Sequence, residues 1–359
     1  MISPLKEAMF YRRLPSGDVR CGLCAHRCLI AADKTGFCRV RQNIGGVLYS
    51  LNYGFVSSEA IDPVEKKPLH HFLPGTTTYS LGTFGCNFKC LHCQNHRLSQ
   101  PGDNIYAAME KGSGLNRFGE IVTPEEVVNR ALLLDSKSIS FTYNEPTVWY
   151  EFVYDTAVLA KERGLYVILV TNGYMTPEAL DFLAPYIDVY RVDLKSFSND
   201  FYENVALARL DPVTASAAQA KKAGLFVETV TLLIPGKNDG TAESEALASF
   251  ISHNLGNETP VHLTAFRPHF KMNDSPPAAA ALLESRRSLF TAAGLLYVYV
   301  GNVESDFQNT WCPNCGCLLI SRRYHFGEND GLERRGNDFV CVDCGEKIPI
   351  FYPFNDGGF

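Results

Sequence analysis

Apolar and polar positions in the middle of the chain alternate between short strand-like runs and longer stretches with helical periodicity. The runs are rich in β-branched and aromatic residues. Seven can be placed, at residues 79–84, 138–143, 166–171, 188–193, 226–234, 261–266 and 296–300. Strands that alternate with helices in this way are typical of a parallel sheet with helical crossovers. The pattern therefore predicts an α/β core over residues 79–305.

Helix start and stop signals separate the predicted strands. A capping-box sequence with proline at the first helical position begins at Thr123, and a second Thr-Pro pair begins at Thr176. Gly164 and Gly224 each stand just before a strand, where the glycine that follows a helix belongs. The polar, glycine-containing residues 101–119 are expected to form a long excursion after the first strand.

Polar side chains follow each predicted strand. In chain order they are the cysteine-rich loop 86–93, Asn144 and Glu145, Thr171 and Asn172, Asp193 and Lys195, residues 235–239, Arg267 and His269, and Asn302. Any one of these residues could have a purely structural role, for example in a turn or an exposed ion pair. Their recurrence after every strand favours a shared functional site. Barrels gather sites from many strand ends, whereas an open doubly wound sheet uses one switch point. The sequence therefore predicts a partial (β/α)6-type TIM-like barrel.

The loop after the first strand carries Cys86, Cys90 and Cys93, spaced C-x3-C-x2-C. A [4Fe–4S] cluster usually takes four cysteines, so three would leave one iron open to another ligand. Zinc sites need four ligands and usually show paired Cys-x2-Cys knuckles. The spacing therefore favours an iron–sulfur cluster. A metal-binding knuckle that borrows a fourth ligand from elsewhere is the alternative.

Two further cysteine groups flank this core, and they suggest modules over residues 1–78 and 306–359. The N-terminal group is Cys21, Cys24, Cys28 and Cys38, and the C-terminal group is Cys312, Cys315, Cys341 and Cys344. The first group fits a structural zinc site or a second iron–sulfur cluster. Zinc is favoured because small loop-rich modules usually need a bound metal or another cross-link for stability. The second group forms two knuckles and predicts a structural zinc ribbon, with Cys317 outside the pattern.

Composition narrows the class of protein. The chain has 359 residues, 46% of them hydrophobic, and a formal net charge of -6. That charge argues against a generally basic nucleic-acid surface. No apolar run approaches the ~18 residues of a membrane helix, and the N-terminus has no apolar segment of a signal peptide. Twelve clustered cysteines suit metal binding in a reducing compartment. We therefore expect a cytoplasmic protein with no membrane partner.

The motifs resemble those of radical S-adenosylmethionine (SAM) enzymes. The group is the one that includes the activating enzymes of pyruvate formate-lyase, and within it the chain is most similar to the radical SAM member of the AmmeMemoRadiSam system. The resemblance is carried by the N-terminal cysteines, residues 62–75, the loop 85–95 and the sequence Tyr143-Asn-Glu-Pro146. It implies an enzyme in which a [4Fe–4S] cluster cleaves SAM to methionine and a 5′-deoxyadenosyl radical that abstracts a substrate hydrogen.

The resemblance also implies partners and site residues. The electron donor would be flavodoxin or ferredoxin, and the substrate a protein, a nucleic acid or a small molecule, with glycyl-radical activation one possibility. The implied SAM contacts are His92 beside the adenine, Asn144 and Glu145 at the methionyl amino group, Thr171 and Asn172 near the ribose, Asp193 and Lys195 near the methionine, and Arg267 where the activating enzymes have a histidine. The family has two glycines where this chain has Tyr143 and Asn144. A non-catalytic iron–sulfur and zinc scaffold, or a nucleic-acid-binding protein, is the alternative.

Overall fold

The computed structural model describes residues 5–112, 114–323 and 325–353. The chain begins with short antiparallel strands that surround the first cysteine group. They are β1 (Lys6–Glu7), β2 (Tyr11–Arg13), β3 (Val19–Cys21), β4 (Leu29–Ile30), β5 (Arg41–Ile44), β6 (Val47–Ser50) and β7 (Phe55–Val56). Strands β2, β3 and β4 form one sheet, and β1, β6 and β5 form another. In the described ranges, no helix is long and apolar enough to cross a membrane.

The main sheet has eight strands, and the last seven of them run parallel in sequence order. They are β8 (Ser58–Pro63), β9 (Thr77–Gly82), β11 (Ser138–Phe141), β12 (Tyr166–Thr171), β13 (Val189–Asp193), β14 (Phe226–Leu233), β15 (Val261–Ala265) and β16 (Val298–Gly301), while β10 (Glu120–Ile121) pairs with β7 outside this sheet. Strand β8 lies antiparallel to β9 at one edge, and β16 forms the other edge. All seven predicted strands are confirmed.

Helices connect each parallel strand to the next. They are α1 (His96–Ser99), α2 (Asp103–Lys111), α3 (Pro124–Leu133), α4 (Tyr150–Glu162), α5 (Pro177–Leu183), α6 (Asn199–Phe201), α7 (Leu210–Lys222), α8 (Thr241–Asn254) and α9 (Ala280–Ala292). Six strand–helix units followed by a seventh strand make a partial TIM-like α/β barrel, as predicted. The excursion over residues 101–119 contains α2, which the sequence analysis did not predict and which buries Tyr106 and Met109.

The helix signals act as expected. Thr123 Oγ1 accepts the Glu126 N–H at 3.1 Å, and the Glu126 carboxylate accepts the Thr123 N–H at 2.6 Å, which completes the capping box that begins α3. Gly164 and Gly224 follow α4 and α7 with φ of +74° and +83°. That left-handed conformation carries little steric cost in glycine, which explains why each helix ends there.

The two faces of the main sheet differ in chemistry. Outward side chains such as Leu81, Val192 and Leu263 belong to one buried apolar cluster with the helices. Inward positions alternate with them at the period of two that strands impose, and several are polar, including Arg191 and His262. Aliphatic side chains usually fill the inside of a TIM barrel. This barrel therefore has a partly polar interior.

Residues 64–73 occupy the lower part of that interior. Phe72 is buried against Ile168 and Val189, whose strands are β12 and β13. The ring of Phe72 stacks on Phe351 with centroids 4.8 Å apart. The Leu73 N–H donates to the Phe351 carbonyl at 2.8 Å. A loop from before β9 and a segment from the end of the chain therefore fill the barrel together.

The C-terminal cysteines lie between two small antiparallel sheets. Their strands are β17 (Thr310–Trp311), β18 (Leu318–Arg323), β19 (Phe326–Asn329), β20 (Leu332–Arg335), β21 (Asp338–Cys341) and β22 (Lys347–Ile348). Ile320 of β18 shares a buried cluster with Tyr299, on the inner face of β16. The Arg322 guanidinium donates to the His70 carbonyl at 2.8 Å and to Thr310 Oγ1 at 2.8 Å. The domain boundary at residue 306 stays a prediction, and extensive contacts cross it.

Candidate active site

A cavity of about 470 Å³ opens at the carboxyl ends of the parallel strands. Its size lies in the range of small-molecule and cofactor sites. Most of the residues predicted to bind the cluster or SAM line it: Cys86, Cys90, Cys93, His92, Asn144, Glu145, Thr171, Asn172, Asp193 and Lys195. Arg267 is not among the lining residues, and its guanidinium donates to the Asn302 carbonyl at 3.2 Å.

The cysteine loop leaves β9 through a tight turn at Gly85. Gly85 has φ of +93°, and a Cβ added there would come within 2.7 Å of Val40 Cγ1, so the turn requires glycine. The Phe88 N–H points at Cys86 Sγ at 3.3 Å, and Asn172 Nδ2 lies 3.8 Å from the same sulfur. N–H groups aimed at sulfur are common around iron–sulfur clusters. The loop is therefore shaped for a thiolate ligand at Cys86.

Burial controls the charge of these thiols. Burial raises the pKa of Cys90 to about 12, although the nearby positive charge of Lys195 opposes the rise. Burial also raises the pKa of Cys86 far above its usual range. A buried thiolate needs a positive partner, and a metal ion is the strongest one available to it. The burial and donor set of this loop therefore fit an iron–sulfur cluster.

Glu145 ties two strand ends together. Its Oε1 accepts the Thr147 N–H at 3.0 Å and the hydroxyls of Thr147 and Thr171 at 2.6 and 2.7 Å. Its Oε2 accepts the Asn172 N–H at 2.8 Å and no other bond from the residues described. The side chain is 1% exposed, and burial raises the pKa of Glu145 against the opposing effect of these donors. Oε2 therefore keeps acceptor capacity for a ligand amino group.

The two residues before Glu145 are held by different contacts, and Asn144 holds the cluster loop, residues 85–95. Asn144 Oδ1 accepts the Thr83 N–H at 3.1 Å, and its Nδ2 donates to the Gly85 carbonyl at 2.9 Å. Tyr143 adopts φ of +69°, a conformation that costs a bulky residue free energy. Its hydroxyl donates to Asp62 Oδ2 at 2.8 Å, which anchors the side chain. One of the two glycines in the family pattern is thus replaced by a tyrosine in a backbone conformation that suits glycine.

Thr171 and Asn172 are also occupied by protein contacts. Thr171 Oγ1 donates to Glu145 and accepts the Gly173 N–H at 3.1 Å. Asn172 Nδ2 donates to Asn87 Oδ1 at 2.8 Å, and its Oδ1 accepts the Tyr174 N–H at 3.1 Å. Both side chains therefore shape the wall beside Cys86, and their predicted ribose contacts stay a prediction.

Asp193 lies between two cations. Lys195 Nζ donates to Asp193 Oδ2 at 2.7 Å, and the Arg191 guanidinium donates to Oδ1. Burial alone would raise the pKa of Asp193, but these positive charges outweigh it and hold the pKa at about 2. The group carries one negative and two positive charges, so it offers a net positive charge to the cavity. Such a group suits a carboxylate ligand.

His92 faces the cavity as a neutral imidazole. Burial lowers the pKa of His92 to about 3, and the charge of Lys195 adds to the effect. His92 Nδ1 is buried and has no hydrogen-bond partner among the described residues, and His92 lines the cavity. Buried polar atoms are normally paired, so a group bound in the cavity would complete the contacts of this ring.

The cavity continues into the polar barrel interior, which the sequence analysis missed. Asp62 accepts Lys67 Nζ at 2.6 Å, and Glu228 lies 2.6 Å from His262 Nε2. Glu228 also accepts the backbone N–H of His70 at 3.0 Å. The signal was the alternation of polar and apolar residues in strands that were already predicted to be parallel. Parallel strands buried on both faces usually read as continuous apolar runs.

The other two cysteine groups are not among the residues that line this cavity. In the C-terminal group, the ligand atoms of Cys312, Cys315, Cys341 and Cys344 all lie within 4.8 Å of one another. The N-terminal group, Cys21, Cys24, Cys28 and Cys38, lines a second and smaller cavity together with His26 and Arg41. His26 Nε2 lies 2.7 Å from the Asn87 carbonyl, so this module touches the cluster loop directly.

The chain is similar to several known proteins. The radical SAM superfamily model matches residues 80–247. An uncharacterized protein of Methanocaldococcus jannaschii is 44% identical over 96% of this chain and 99% of its own length. A candidate glycyl-radical enzyme activating enzyme of the same organism is 29% identical over 48% of this chain and 62% of its own length. A solved radical SAM methyltransferase from Sphaerobacter thermophilus is 16% identical, covers 84% of this chain and 77% of its own, and has a TM-score of 0.46.

The family match begins in β9 and includes the three cysteines and the ends of β9 to β14, while the ends of β15 and β16 lie beyond it. The full-length relative extends the likeness to nearly all of the chain. Superfamily members use a [4Fe–4S] cluster and SAM, and the cavity's thiols and unpaired polar atoms fit such groups. The chain is an enzyme that belongs to the radical SAM superfamily.

Proposed function

We propose that Cys86, Cys90 and Cys93 hold a [4Fe–4S] cluster and that the cavity binds SAM against it. When bound and reduced, the cluster supplies one electron that cleaves SAM to methionine and a 5′-deoxyadenosyl radical, which abstracts a hydrogen atom from the substrate. The observation that carries the proposal is the convergence of three buried thiols and the polar strand ends on one cavity. The electron would come from a cytoplasmic donor such as flavodoxin or ferredoxin.

The chain's own residues would orient SAM. Glu145 Oε2, which has one protein donor, would accept the methionyl amino group. The net positive charge of Arg191, Asp193 and Lys195 would hold the carboxylate. The neutral His92 ring would lie against the adenine, where its unpaired Nδ1 gains a partner. Asn144 would support SAM binding indirectly, because both of its polar side-chain groups hold the cluster loop.

Glycyl-radical activation is the substrate chemistry we propose. Two relatives from Methanocaldococcus jannaschii carry names as candidate glycyl-radical enzyme activating enzymes, each 29% identical over less than half of this chain. Lys66, Gln308 and His325 also line the cavity, so residues 64–73 and the C-terminal module border the approach to it. A protein substrate would therefore have to enter as a single extended segment. Membership of the AmmeMemoRadiSam system is part of the same proposal.

Production of 5′-deoxyadenosine tests the first step. The full chain, reconstituted anaerobically with iron and sulfide, is expected to form it from SAM and dithionite. Cys90→Ala should abolish formation, whereas Cys317→Ala, a change outside all three cysteine groups, should leave it unchanged. Equal formation by the wild type and Cys90→Ala would refute the proposal.

Deuterium transfer tests the substrate. Host proteins from cells grown on deuterated glycine would be added to the reduced enzyme. Deuterium in the 5′-deoxyadenosine is expected if the radical removes a glycine hydrogen. Labelling from other deuterated amino acids, with none from glycine, would exclude activation of a glycyl radical while leaving SAM cleavage intact.

We further propose that Cys312, Cys315, Cys341 and Cys344 bind a structural zinc ion. Zinc–thiolate bonds of about 2.3 Å in a tetrahedron put the sulfurs about 3.8 Å apart. Cys312 and Cys344 Sγ lie 3.5 Å apart, and Cys315 and Cys341 Sγ lie 3.6 Å apart. Zinc content of the purified chain, with Cys315→Ala and Cys344→Ala as the matched variants, tests this site.

A further inference from the structure

We propose that the four N-terminal cysteines hold a second iron–sulfur cluster of the four-iron type, beside the cluster loop. They are Cys21, Cys24, Cys28 and Cys38. The proposed function needs only the cluster at residues 86–93, so this site goes beyond it. The sequence favoured zinc here. Three observations point to iron and sulfide instead. They are the separation of the thiols, an arginine Nε–H without an acceptor in the cavity wall, and the contact of this module with the cluster loop.

The cysteines reach one space from separate parts of the fold. Cys21 ends β3, and its N–H donates to the Cys28 carbonyl at 2.9 Å across the β3–β4 hairpin. Cys24 forms an isolated bridge with Met175, beside the barrel. Cys38 lies just before β5 and is 8% exposed. All four line one cavity whose other walls include Ile30, Phe37 and Val148. The thiols therefore converge on a mainly apolar, enclosed space.

The N-terminal thiols are spread more widely than a zinc ion requires. Four sulfurs bound to one zinc ion lie about 3.8 Å apart. In the ranges that the structure describes, the C-terminal cysteines are the group whose ligand atoms gather within 4.8 Å, and no three N-terminal ones do so. A cluster core of iron and sulfide separates its cysteines more widely, which fits this cavity.

Arg41 provides an N–H donor that such a group could use. It forms part of the cavity wall, is 2% exposed, and has an Nε–H without an acceptor among the residues described. Its Nη2 group already donates to both carboxylate oxygens of Glu151, at 2.6 and 2.7 Å. Four thiolates around a cluster make an anion, and an N–H donor to sulfur stabilises it. The unpaired Nε–H is thus explained by a thiolate-bound group in the cavity.

The position links the two cysteine groups. The Cys38 carbonyl lies 3.1 Å from where a Cβ of Gly85 would be, and Gly85 directly precedes Cys86. His26 Nε2 contacts the Asn87 carbonyl of the same loop at 2.7 Å. The N-terminal module is therefore in backbone contact with the loop that holds the first cluster.

Iron counting on the full chain tests the proposal. After anaerobic reconstitution the wild type is expected to hold about eight iron atoms per chain, and a Cys86→Ala, Cys90→Ala, Cys93→Ala variant about four. Adding Cys24→Ala and Cys28→Ala should remove the remainder. The matched control, Cys315→Ala with Cys344→Ala in the triple background, should keep about four irons and lose only zinc.

The outcomes separate this inference from the proposed function. A wild-type chain with about four irons, all lost in the triple variant, and about two zinc ions in both proteins would overturn the second cluster and leave the proposed function intact. A wild-type chain with only about four irons, all of which persist in the triple variant and vanish with Cys24→Ala and Cys28→Ala, would contradict the first cluster instead. If the triple variant does not fold, the iron and acid-labile sulfide content of the wild type alone decides between about four and about eight.

The contribution of Arg41 to the second cluster can be tested separately. In the triple variant, Arg41→Gln is expected to speed iron loss to a chelator by about 10-fold or more, the usual effect of removing a group that supports a metal ligand. It should also shift the electron paramagnetic resonance signal of the reduced cluster. Glu151→Gln keeps the guanidinium and should change the signal less. Equal effects of both changes would remove Arg41 from the site.

Discussion

The N-terminal and C-terminal cysteine groups each contain four thiols, but the chain builds them differently. The N-terminal thiols surround a cavity, and two of them, Cys21 and Cys38, are buried. The C-terminal thiols lie within 4.8 Å of one another on two knuckles, with Cys315 and Cys344 exposed. The first arrangement suits a bulky group shielded from water, and the second suits a single ion. Spacing along the sequence does not separate these cases, whereas the space between the sulfurs does.

The two groups also join the barrel in different ways. The N-terminal module contacts the cluster loop and places the buried Arg41–Glu151 ion pair against α4. The C-terminal module reaches the barrel interior through residues 64–73, by way of Arg322 and Phe351. One group therefore adjoins the predicted reaction centre, and the module that holds the other contacts the barrel interior. Four changes test this contrast.

The largest effect is expected at Cys341, which is fully buried in the C-terminal group. Cys341→Ser should release the zinc and unfold the module, because structural zinc contributes about 10 kcal/mol or more to small zinc domains. Zinc analysis and limited proteolysis measure this. Cys317→Ser, in the same module but outside the group, is the control and should change stability by about 0.5 kcal/mol or less. Full zinc content in Cys341→Ser would show that the group is not a closed site.

The next effect is expected at Arg41. Arg41→Met leaves the Glu151 carboxylate buried without its partner, which should lower the free energy of unfolding by about 3–5 kcal/mol. Arg41→Met combined with Glu151→Leu should recover much of this loss, because neither charge is then buried alone. Urea denaturation of the three variants measures the difference. A double variant as unstable as Arg41→Met would mean that the cysteines, not Glu151, need the guanidinium.

A pH-dependent effect is expected where the C-terminal segment meets His71. Burial lowers the pKa of His71 to about 4, and its neutral ring lies 2.6 Å from the Tyr299 hydroxyl and 3.2 Å from the Pro349 carbonyl. The unfolded chain takes up this proton near pH 6.5 and the folded chain only near pH 4. Stability should therefore fall as the pH drops between those values, by up to about 3 kcal/mol for this group.

Unfolding at pH 7 and pH 5 measures this slope. His71→Gln should make the slope shallower, and His253→Gln, on the exposed side of α8, is the matched control. Identical slopes in the wild type and His71→Gln would exclude His71 as the source.

The smallest effect is expected at Phe351, whose ring is 36% exposed. Phe351→Ala removes the stacking on Phe72 and should cost about 1 kcal/mol. Phe326→Ala changes another exposed ring of the C-terminal module and should cost less. Thermal unfolding of the two variants tests whether the segment that follows β22 supports the barrel. A larger loss in Phe326→Ala would contradict this.

The main strands and their order could be predicted because their signals are local. Each of the seven runs has its own apolar pattern, and Thr123 and Gly164 mark helix ends within a few residues. The cysteine loop was equally readable, since three metal ligands lie within eight residues. These features depend on short stretches of sequence, so a single chain is enough to infer them.

Long-range contacts could not be predicted in this way. Nothing near Arg41 in sequence indicates Glu151, and nothing near Phe72 indicates Phe351. The conformation of Tyr143 also had no local signal beyond its place in the family pattern. The polar interior did have a local signal, because residues such as Glu228 and His262 interrupt strands that would otherwise be apolar. The sequence analysis missed this signal because it considered only the polar residues that follow each strand.

Residues 64–73 have a consequence for how the protein is made. They lie inside the barrel, yet several of their partners, Arg322, Pro349 and Phe351, come from much later in the sequence. On the ribosome these partners emerge long after residues 64–73, and contacts between distant residues form slowly. Until residues 310–351 have been synthesised, the inner surface near β16 lacks its cover and Phe72 lacks its stacking partner. The nascent barrel therefore passes through a stage in which its interior is open to solvent, and the arrival of residues 310–351 ends that stage.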